Sequence, residues 1–181
     1  MPKMPMTQTN PALRSIGKTL LGIALTLAVA TGTLPAHAQQ LFGEPQPELA
    51  APAPPKFTAN NLLLLDGGNF SSLQLGVDPT TLSLGRDGIV RYVLVTVSSN
   101  GNVSGLYEGI RCTTAENKLY ARFNASAGWV SVEDPQWRSL YESGPSKHGL
   151  KLARAGICAG ASANTSVEQM IKELRGEAKL L

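Results

Sequence analysis

The dipeptide Asn100-Gly101 lies between two runs in which apolar and polar residues alternate, GIVRYVLVTVSS and VSGLYEGIRC. Runs of this kind favour β-strands, and Asn-Gly between them favours a two-residue type I′ turn. The pattern therefore predicts an antiparallel hairpin over residues 88–112. Because the turn decides which residues face each other, this dipeptide constrains the fold more than any other feature of the chain.

A two-residue turn pairs Ser99 with Asn102, and this register places Arg91 and Glu108 on the same face of the hairpin. That face is the more apolar one and also receives Cys112, so it is expected to face the core. A buried charge needs a partner, and the two side chains are diagonal neighbours. The register therefore predicts an Arg91–Glu108 ion pair, which serves either as a structural brace or as a polar site in a pocket.

The opposite face of this hairpin carries Tyr92, Tyr107 and Arg111. Together with Tyr120 and Trp129 from the segments that follow, these side chains form a candidate binding patch. The alternative is that the aromatic stripe packs beneath a helix.

Short apolar segments separated by turn residues extend the strand pattern over residues 61–132. Their spacing leaves no room for crossover helices, so we expect an antiparallel, largely sequential sheet. Asp134-Pro135 and a capping box at Ser166 predict helices over 135–142 and 166–175. The segment 149–158 fits a strand or a helix. The predicted fold class is α+β, with one short helix, one C-terminal helix and one disulfide.

The first 38 residues have the features of a signal peptide. A basic front precedes the uncharged run LLGIALTLAVATG, and the small residues of AHA predict cleavage between Ala38 and Gln39. The alternative is an uncleaved membrane anchor, since the run approaches the ~20 residues that span a bilayer. With cleavage, the protein is expected to be periplasmic or secreted, without a stable membrane anchor.

Charge argues against a nucleic-acid partner. The chain has 16 lysines and arginines and 13 acidic residues, and three of the basic residues but none of the acidic ones lie in the leader. Residues 39–181 therefore carry 13 of each and no net charge. The expected partner is an envelope protein or a small ligand.

Residues 39–60 are rich in proline and alanine, as in EPQPELAAPAPPK, which predicts a disordered or extended linker. The folded domain is then expected over 61–160, and 161–181 forms a C-terminal helical extension.

Cys112 and Cys158 are the only cysteines. In an oxidising compartment an even pair predicts a disulfide, and the alternative is two buried free thiols.

The ordered set DGIVRYVLV, SSNGNVS, YEGIRC, KLYARF, Gly128-Trp129, Trp137 and a late cysteine resembles the cryptic-neisserial-protein-like family. The resemblance covers roughly residues 61–158 and implies a small exported bacterial protein of uncharacterised function. It also implies a set of signature positions, namely Asp87, Arg91, Tyr92, Glu108, Gly109, Arg111, Cys112, Tyr120, Trp129, Trp137 and Cys158.

Catalytic signals are weak. His148 is the only histidine after the leader and lies in the turn-like GPSKHG, where a solvated side chain is more common than a catalytic base. The residues do not show metal-ligand spacing or a phosphate loop, and we expect no cofactor. The favoured function is a non-catalytic binding or assembly module of the cell envelope. The alternative is an envelope hydrolase that uses a carboxylate such as Glu108, with Arg91 or Arg111 as an anion clamp.

Overall fold

The computed structural model describes residues 46–65, 73–142 and 147–177. The predicted signal peptide and its cleavage site at Ala38 and Gln39 lie outside the described residues. The first residues of the predicted linker also lie outside them.

Eight strands of the described chain form one antiparallel sheet. Their bounds are β1 Leu63–Leu64, β2 Leu73–Val77, β3 Ser83–Leu84, β4 Ile89–Ser98, β5 Val103–Arg111, β6 Glu116–Asn124, β7 Gly128–Ser131 and β8 Trp137–Ser139. The main path runs β1-β2-β4-β5-β6-β7, while β3 pairs with β4 and β8 pairs with β6. The predicted antiparallel sheet is confirmed, and the α+β fold is mostly sheet.

The β4–β5 hairpin has a three-residue loop instead of the predicted two-residue turn. The backbone N–H of Ser98 donates to the Asn102 carbonyl at 3.0 Å, and that of Gly101 donates to the Ser98 carbonyl at 2.9 Å. Gly101 has φ +82°, the left-handed conformation that closes loops of this length. The Ser98 hydroxyl accepts from the Asn102 N–H at 3.1 Å and thereby also supports the loop. The register is therefore one residue away from the prediction.

This register separates Arg91 from Glu108. Arg91 faces Gly109 across the ladder, and Tyr92 faces Glu108. Because successive side chains of a strand point to opposite faces, Arg91 and Glu108 lie on opposite faces of the sheet. The predicted Arg91–Glu108 ion pair is wrong, and the reason is the single extra loop residue.

Both faces of the central strands are buried. On one face, here called the helix face, the strands pack against the helical segments through Val90, Tyr92, Leu94, Ile110, Leu152, Ile157, Met170 and Leu174. On the other, here called the strap face, a second cluster contains Val93, Val95, Tyr107, Tyr120 and Ala121, with Phe57 and Trp129 packed against it. Because both faces are covered, every residue from Ile89 to Val95 is buried.

A 3-10 turn spans Pro79–Thr81, and three further segments form the helical part that follows β8 in the described chain. The helix α1, His148–Leu152, leads into a π-helical turn at Ala153–Ile157, and α2 spans Val167–Glu177. The Ser166 hydroxyl accepts from the Gln169 N–H at 3.2 Å, which confirms the predicted cap of α2. Met170 and Leu174 are buried on the helix face, so α2 docks on the sheet.

The predicted helix over 135–142 is wrong. Trp137 belongs to β8 and faces Lys118 of β6. Its helical periodicity with Leu140 and Tyr141 does not reflect one buried side, because Leu140 is 7% exposed and Tyr141 is 66% exposed. Pairing with the edge of β6 satisfies backbone groups that an isolated short helix would leave to solvent.

The disulfide Cys112–Cys158 is confirmed, with Cα atoms 5.7 Å apart. Cys112 follows β5, and Cys158 begins the short strand β9, Cys158–Ala159, which pairs with β10, Ser162–Ala163. The bond therefore attaches the helical part to the end of a central strand.

Gly156 is expected to resist substitution because its backbone and its neighbour both require glycine. It has φ +139°, and a Cβ atom here would lie 2.5 Å from Cβ of Glu173 on α2. We expect Gly156→Ala to lower the free energy of unfolding by about 2–4 kcal/mol, measured in urea.

Gly160→Ala is the matched control for this substitution. Gly160 also has positive φ, at +65°, but a Cβ atom there would meet nothing within 4 Å. Backbone strain alone should cost about 1 kcal/mol. Equal costs for the two variants would contradict the close packing of the π-helical turn on α2.

Candidate functional site

Residues 46–58, here called the N-terminal strap, lie extended across the strap face. The segment was expected to be a linker, and its prolines do prevent a helix. The strap nevertheless has specific contacts with the sheet. The Phe57 ring lies 5.0 Å from that of Phe123 and 5.6 Å from that of Trp129. The Thr58 N–H donates to Asp78 at 2.7 Å.

The strongest polar contact of the strap is made by the Glu48 carboxylate. Lys118 Nζ donates to it at 2.8 Å, the Tyr120 hydroxyl at 2.9 Å and Trp137 Nε1 at 3.0 Å. These three side chains are here called the carboxylate cradle. Lys118 and Tyr120 are two residues apart on β6, and Trp137 faces Lys118 from β8, so strand pairing alone brings the donors together.

Charge and hydrogen bonding favour an ionised group in the cradle. Burial by itself would raise the pKa of Glu48, but the hydrogen bonds from Lys118, Tyr120 and Trp137 outweigh it and lower that pKa. Burial and the bond to Glu48 raise the pKa of Tyr120, so its hydroxyl remains a donor. A lysine ammonium and an indole N–H can only donate, so the cradle selects an acceptor and favours an anion.

A buried ion pair beside the cradle binds the strap backbone. Arg91 Nη2 lies 2.7 Å from Asp87 Oδ2, and Nη1 donates to Oδ1 at 3.2 Å. The Leu49 N–H donates to Asp87 at 3.1 Å, and the Leu49 carbonyl accepts from Arg91 at 3.3 Å. Both backbone groups of one strap residue are therefore bound by one ion pair. Burial would raise the pKa of Asp87, but its bond to Arg91 and those from the Leu49 and Ile89 amides lower it.

Cations and aromatic rings continue around the cradle. The Arg111 guanidinium lies 4.1 Å from the Trp137 ring centre, and Lys118 Nζ lies 5.4 Å from it. Arg111 also lies 3.6 Å from Glu116. Such cation–π contacts hold the indole in place for its hydrogen bond to Glu48.

The structure brings together four of the five residues of the predicted binding patch. Tyr107, Arg111, Tyr120 and Trp129 share the strap face, and the Tyr107 and Tyr120 rings lie 5.4 Å apart. Tyr92 does not join them, because the one-residue difference in register turns it towards the helix face. The strap reaches this patch where Phe57 packs against Trp129.

A second polar cluster lies on the helix face around Glu108. The Tyr92 hydroxyl donates to Glu108 at 2.9 Å, and His148 Nε2 lies 2.8 Å from the same oxygen. His148 was expected to be solvated, but its side chain is only 11% exposed. Burial and the Glu108 charge raise the pKa of Tyr92 well above its ordinary value. The cluster joins α1 to the sheet through a hydrogen-bonded carboxylate.

Several residues of the two clusters had no recognisable signal in the sequence. Glu48 lies among prolines and alanines, and the role of Trp137 depends on a strand that its periodicity concealed. Asp87 was among the signature positions implied by the family resemblance, but its pairing with Arg91 was not predicted. Alternation of Lys118 and Tyr120 was the one local sign that these two side chains share a face.

Among residues 46–65, 73–142 and 147–177, the structure contains no group of three or more potential ligands that could hold a metal ion. In the same part of the chain, no helix has the length and apolar character needed to cross a membrane.

Comparison with protein families identifies the family of this chain. The model of the CNP1-like family matches residues 43–175. This agrees with the resemblance seen over residues 61–158 and extends it on both sides, so that the strap and most of α2 fall within the family domain. No curated protein and no solved structure matches the chain.

Proposed function

This chain belongs to the CNP1-like family, and we propose that it is an exported, non-catalytic binding module of the bacterial cell envelope. Its ligand-binding surface is the strap face around the carboxylate cradle. The observation that supports this most strongly is the convergence of Lys118, Tyr120 and Trp137 on one carboxylate at 2.8–3.0 Å. Three donors from two strands form a preorganised recognition site for an anionic group.

Two features support export. The leader has a basic front, an apolar run and a small-residue cleavage site ending at Ala38. The Cys112–Cys158 disulfide is the kind of bond that persists in oxidising compartments such as the periplasm. The expected location of the mature protein is therefore the periplasm or the exterior of the cell.

The contacts of the Asp87 and Glu108 carboxylates favour a structural role for these two residues over a catalytic one. Asp87 is held by Arg91 and two backbone amides, and Glu108 is held by Tyr92 and His148. Both residues are buried, with exposed fractions of 6% and 3%. Carboxylates that are enclosed and hydrogen-bonded to neighbouring segments of the chain brace the fold.

A hydrolase that combines Glu108 with an arginine clamp has no support in this geometry. Such a mechanism needs the carboxylate and the guanidinium in one cleft. The sheet lies between Glu108 on the helix face and both Arg91 and Arg111 on the strap face.

Photo-crosslinking in living cells tests the proposed function. Ser139 is exposed and lies two residues from Trp137 on the same side of β8. A photo-reactive phenylalanine at Ser139 should form an adduct with an envelope component. The same residue at Lys172, which is exposed on α2, is the control and should not form this adduct.

Mass spectrometry of the adduct identifies the component and the mature N-terminus, expected at Gln39. Absence of adduct at Ser139, or equal adducts at both positions, would contradict a binding surface at the cradle. A protein that keeps its leader and is recovered only in detergent would contradict the proposed location.

A further inference from the structure

We infer that the strap face binds an extended peptide of another envelope protein that carries one carboxylate side chain, and that the strap is a competitor for the same groove. The peptide carries a glutamate or aspartate at the position of Glu48, with its chain running along the Asp87–Arg91 pair. This inference rests on the proposed function, since it names the ligand class and the regulation of that site.

The contacts with the strap are general peptide contacts. Asp87 and Arg91 bind the N–H and C=O of Leu49, while the Leu49 side chain is 52% exposed. An ion pair that binds main-chain groups accepts any residue at this position. The cradle requires only a carboxylate one residue earlier. A peptide from another protein can therefore reproduce every polar contact of Glu48 and Leu49.

The strap is peripheral, whereas the groups that bind it are built into the sheet. None of residues 46–60 is buried, while Asp87, Arg91 and Tyr120 are 6%, 4% and 9% exposed. Between Leu49 and Phe57 the strap offers only alanine, proline and Lys56, which bury little apolar area. Detachment of such a segment requires far less free energy than global unfolding.

The groove is expected to survive departure of the strap. Asp87 and Arg91 form two hydrogen bonds with each other, so neither charge loses its partner when Leu49 leaves. The Arg111 and Lys118 cations remain stacked against Trp137. A strap tethered to the domain has an effective concentration of the order of millimolar. It therefore excludes weak peptides and yields only to tighter ones.

Peptide binding by strap variants of the full mature chain tests this. The probe is a fluorescent peptide with the strap sequence QPELAAPAPPKF, residues 46–57. Glu48→Ala combined with Phe57→Ala removes both side-chain anchors of the strap in the protein but leaves the groove intact. Fluorescence anisotropy should show at least tenfold tighter binding of the probe to this double variant than to the wild type. The single variant Glu48→Gln should show a smaller gain.

Two controls isolate the carboxylate. A probe with glutamine in place of its glutamate should lose at least tenfold in affinity for the double variant. Adding Lys118→Met to the double variant should cause a similar loss for the glutamate probe. Circular dichroism and urea unfolding establish that each variant is folded before it is titrated.

The outcomes separate this inference from the proposed function. Equal affinity of the probe for wild type and double variant would overturn the role of the strap as competitor. If the folded double variant and Glu48→Gln both fail to bind the probe, the peptide ligand is overturned. An envelope adduct at Ser139 would then still support binding at the strap face.

Discussion

Arg91→Met is expected to lower the free energy of unfolding by about 3–5 kcal/mol, because it leaves the buried Asp87 carboxylate without its cationic partner. The side chains of Arg91 and Asp87 are 5% and 0% exposed. Adding Asp87→Asn removes the unpaired charge, so the double variant should cost clearly less than the sum of the two single variants. A double-mutant cycle in urea should give a coupling energy of about 1–3 kcal/mol.

Arg138→Met is the matched control for this cycle. Arg138 lies 3.9 Å from Glu142, but the two side chains are 70% and 55% exposed. Loss of such a surface pair should change stability by less than about 0.5 kcal/mol. A cost of Arg91→Met as small as that of Arg138→Met would contradict a buried Asp87–Arg91 pair.

The same pair predicts a pH dependence. The pKa of Asp87 is lowered on folding, so the folded protein binds fewer protons at this carboxylate than the unfolded chain does. The stabilisation is fully present above the ordinary value of 3.8 and is lost as the pH falls through the lowered pKa. Acidification below about pH 4 should therefore destabilise the wild type more than the Asp87→Asn, Arg91→Met double variant.

Removal of the disulfide is the second large effect. Cys112 and Cys158 are 46 residues apart, so the bond restricts a long loop of the unfolded chain. Cys112→Ala with Cys158→Ala should therefore lower the free energy of unfolding by roughly 4 kcal/mol on the chain-entropy model. Urea unfolding of the oxidised wild type and of the double variant measures this cost.

Hydrogen exchange should show where the disulfide acts. Amides of α1 and α2 should exchange faster in the cysteine variant, because Cys158 attaches the helical part to the end of β5. The wild type treated with a reductant is the control and should match the variant. A cost below about 1 kcal/mol would contradict this role of the bond.

Local patterns predicted those features that depend on local chemistry. The alternation in β4 and β5, the cap at Ser166 and the cysteine pair all led to elements that the structure contains. The hairpin register could not be predicted, because Asn100-Gly101 suits two-residue and three-residue loops alike. The extra loop residue places Arg91 and Glu108 on opposite faces of the sheet, so the predicted ion pair does not form.

The cradle could not be predicted for a different reason. Glu48 lies 70 residues before Lys118 and 89 before Trp137, and a proline-rich segment shows no periodicity that would indicate a packed side. The helical spacing around Trp137 was real, but the free edge of β6 overrode it. Tertiary pairing decided both cases, and a single sequence does not reveal it.

The position of the strap in the chain has a consequence for the order of folding. The strap is synthesised before the strands that bind it, since Lys118 and Trp137 follow Glu48 by 70 and 89 residues. A chain that emerges from its N-terminus must therefore leave Glu48 in water until β6 and β8 have paired. Closure of the strap is a late folding event, because it must close a long loop of the chain. It can take place only after β6 and β8 have joined the sheet. The groove is therefore complete but uncovered only in the interval between pairing of β6 with β8 and closure of the strap.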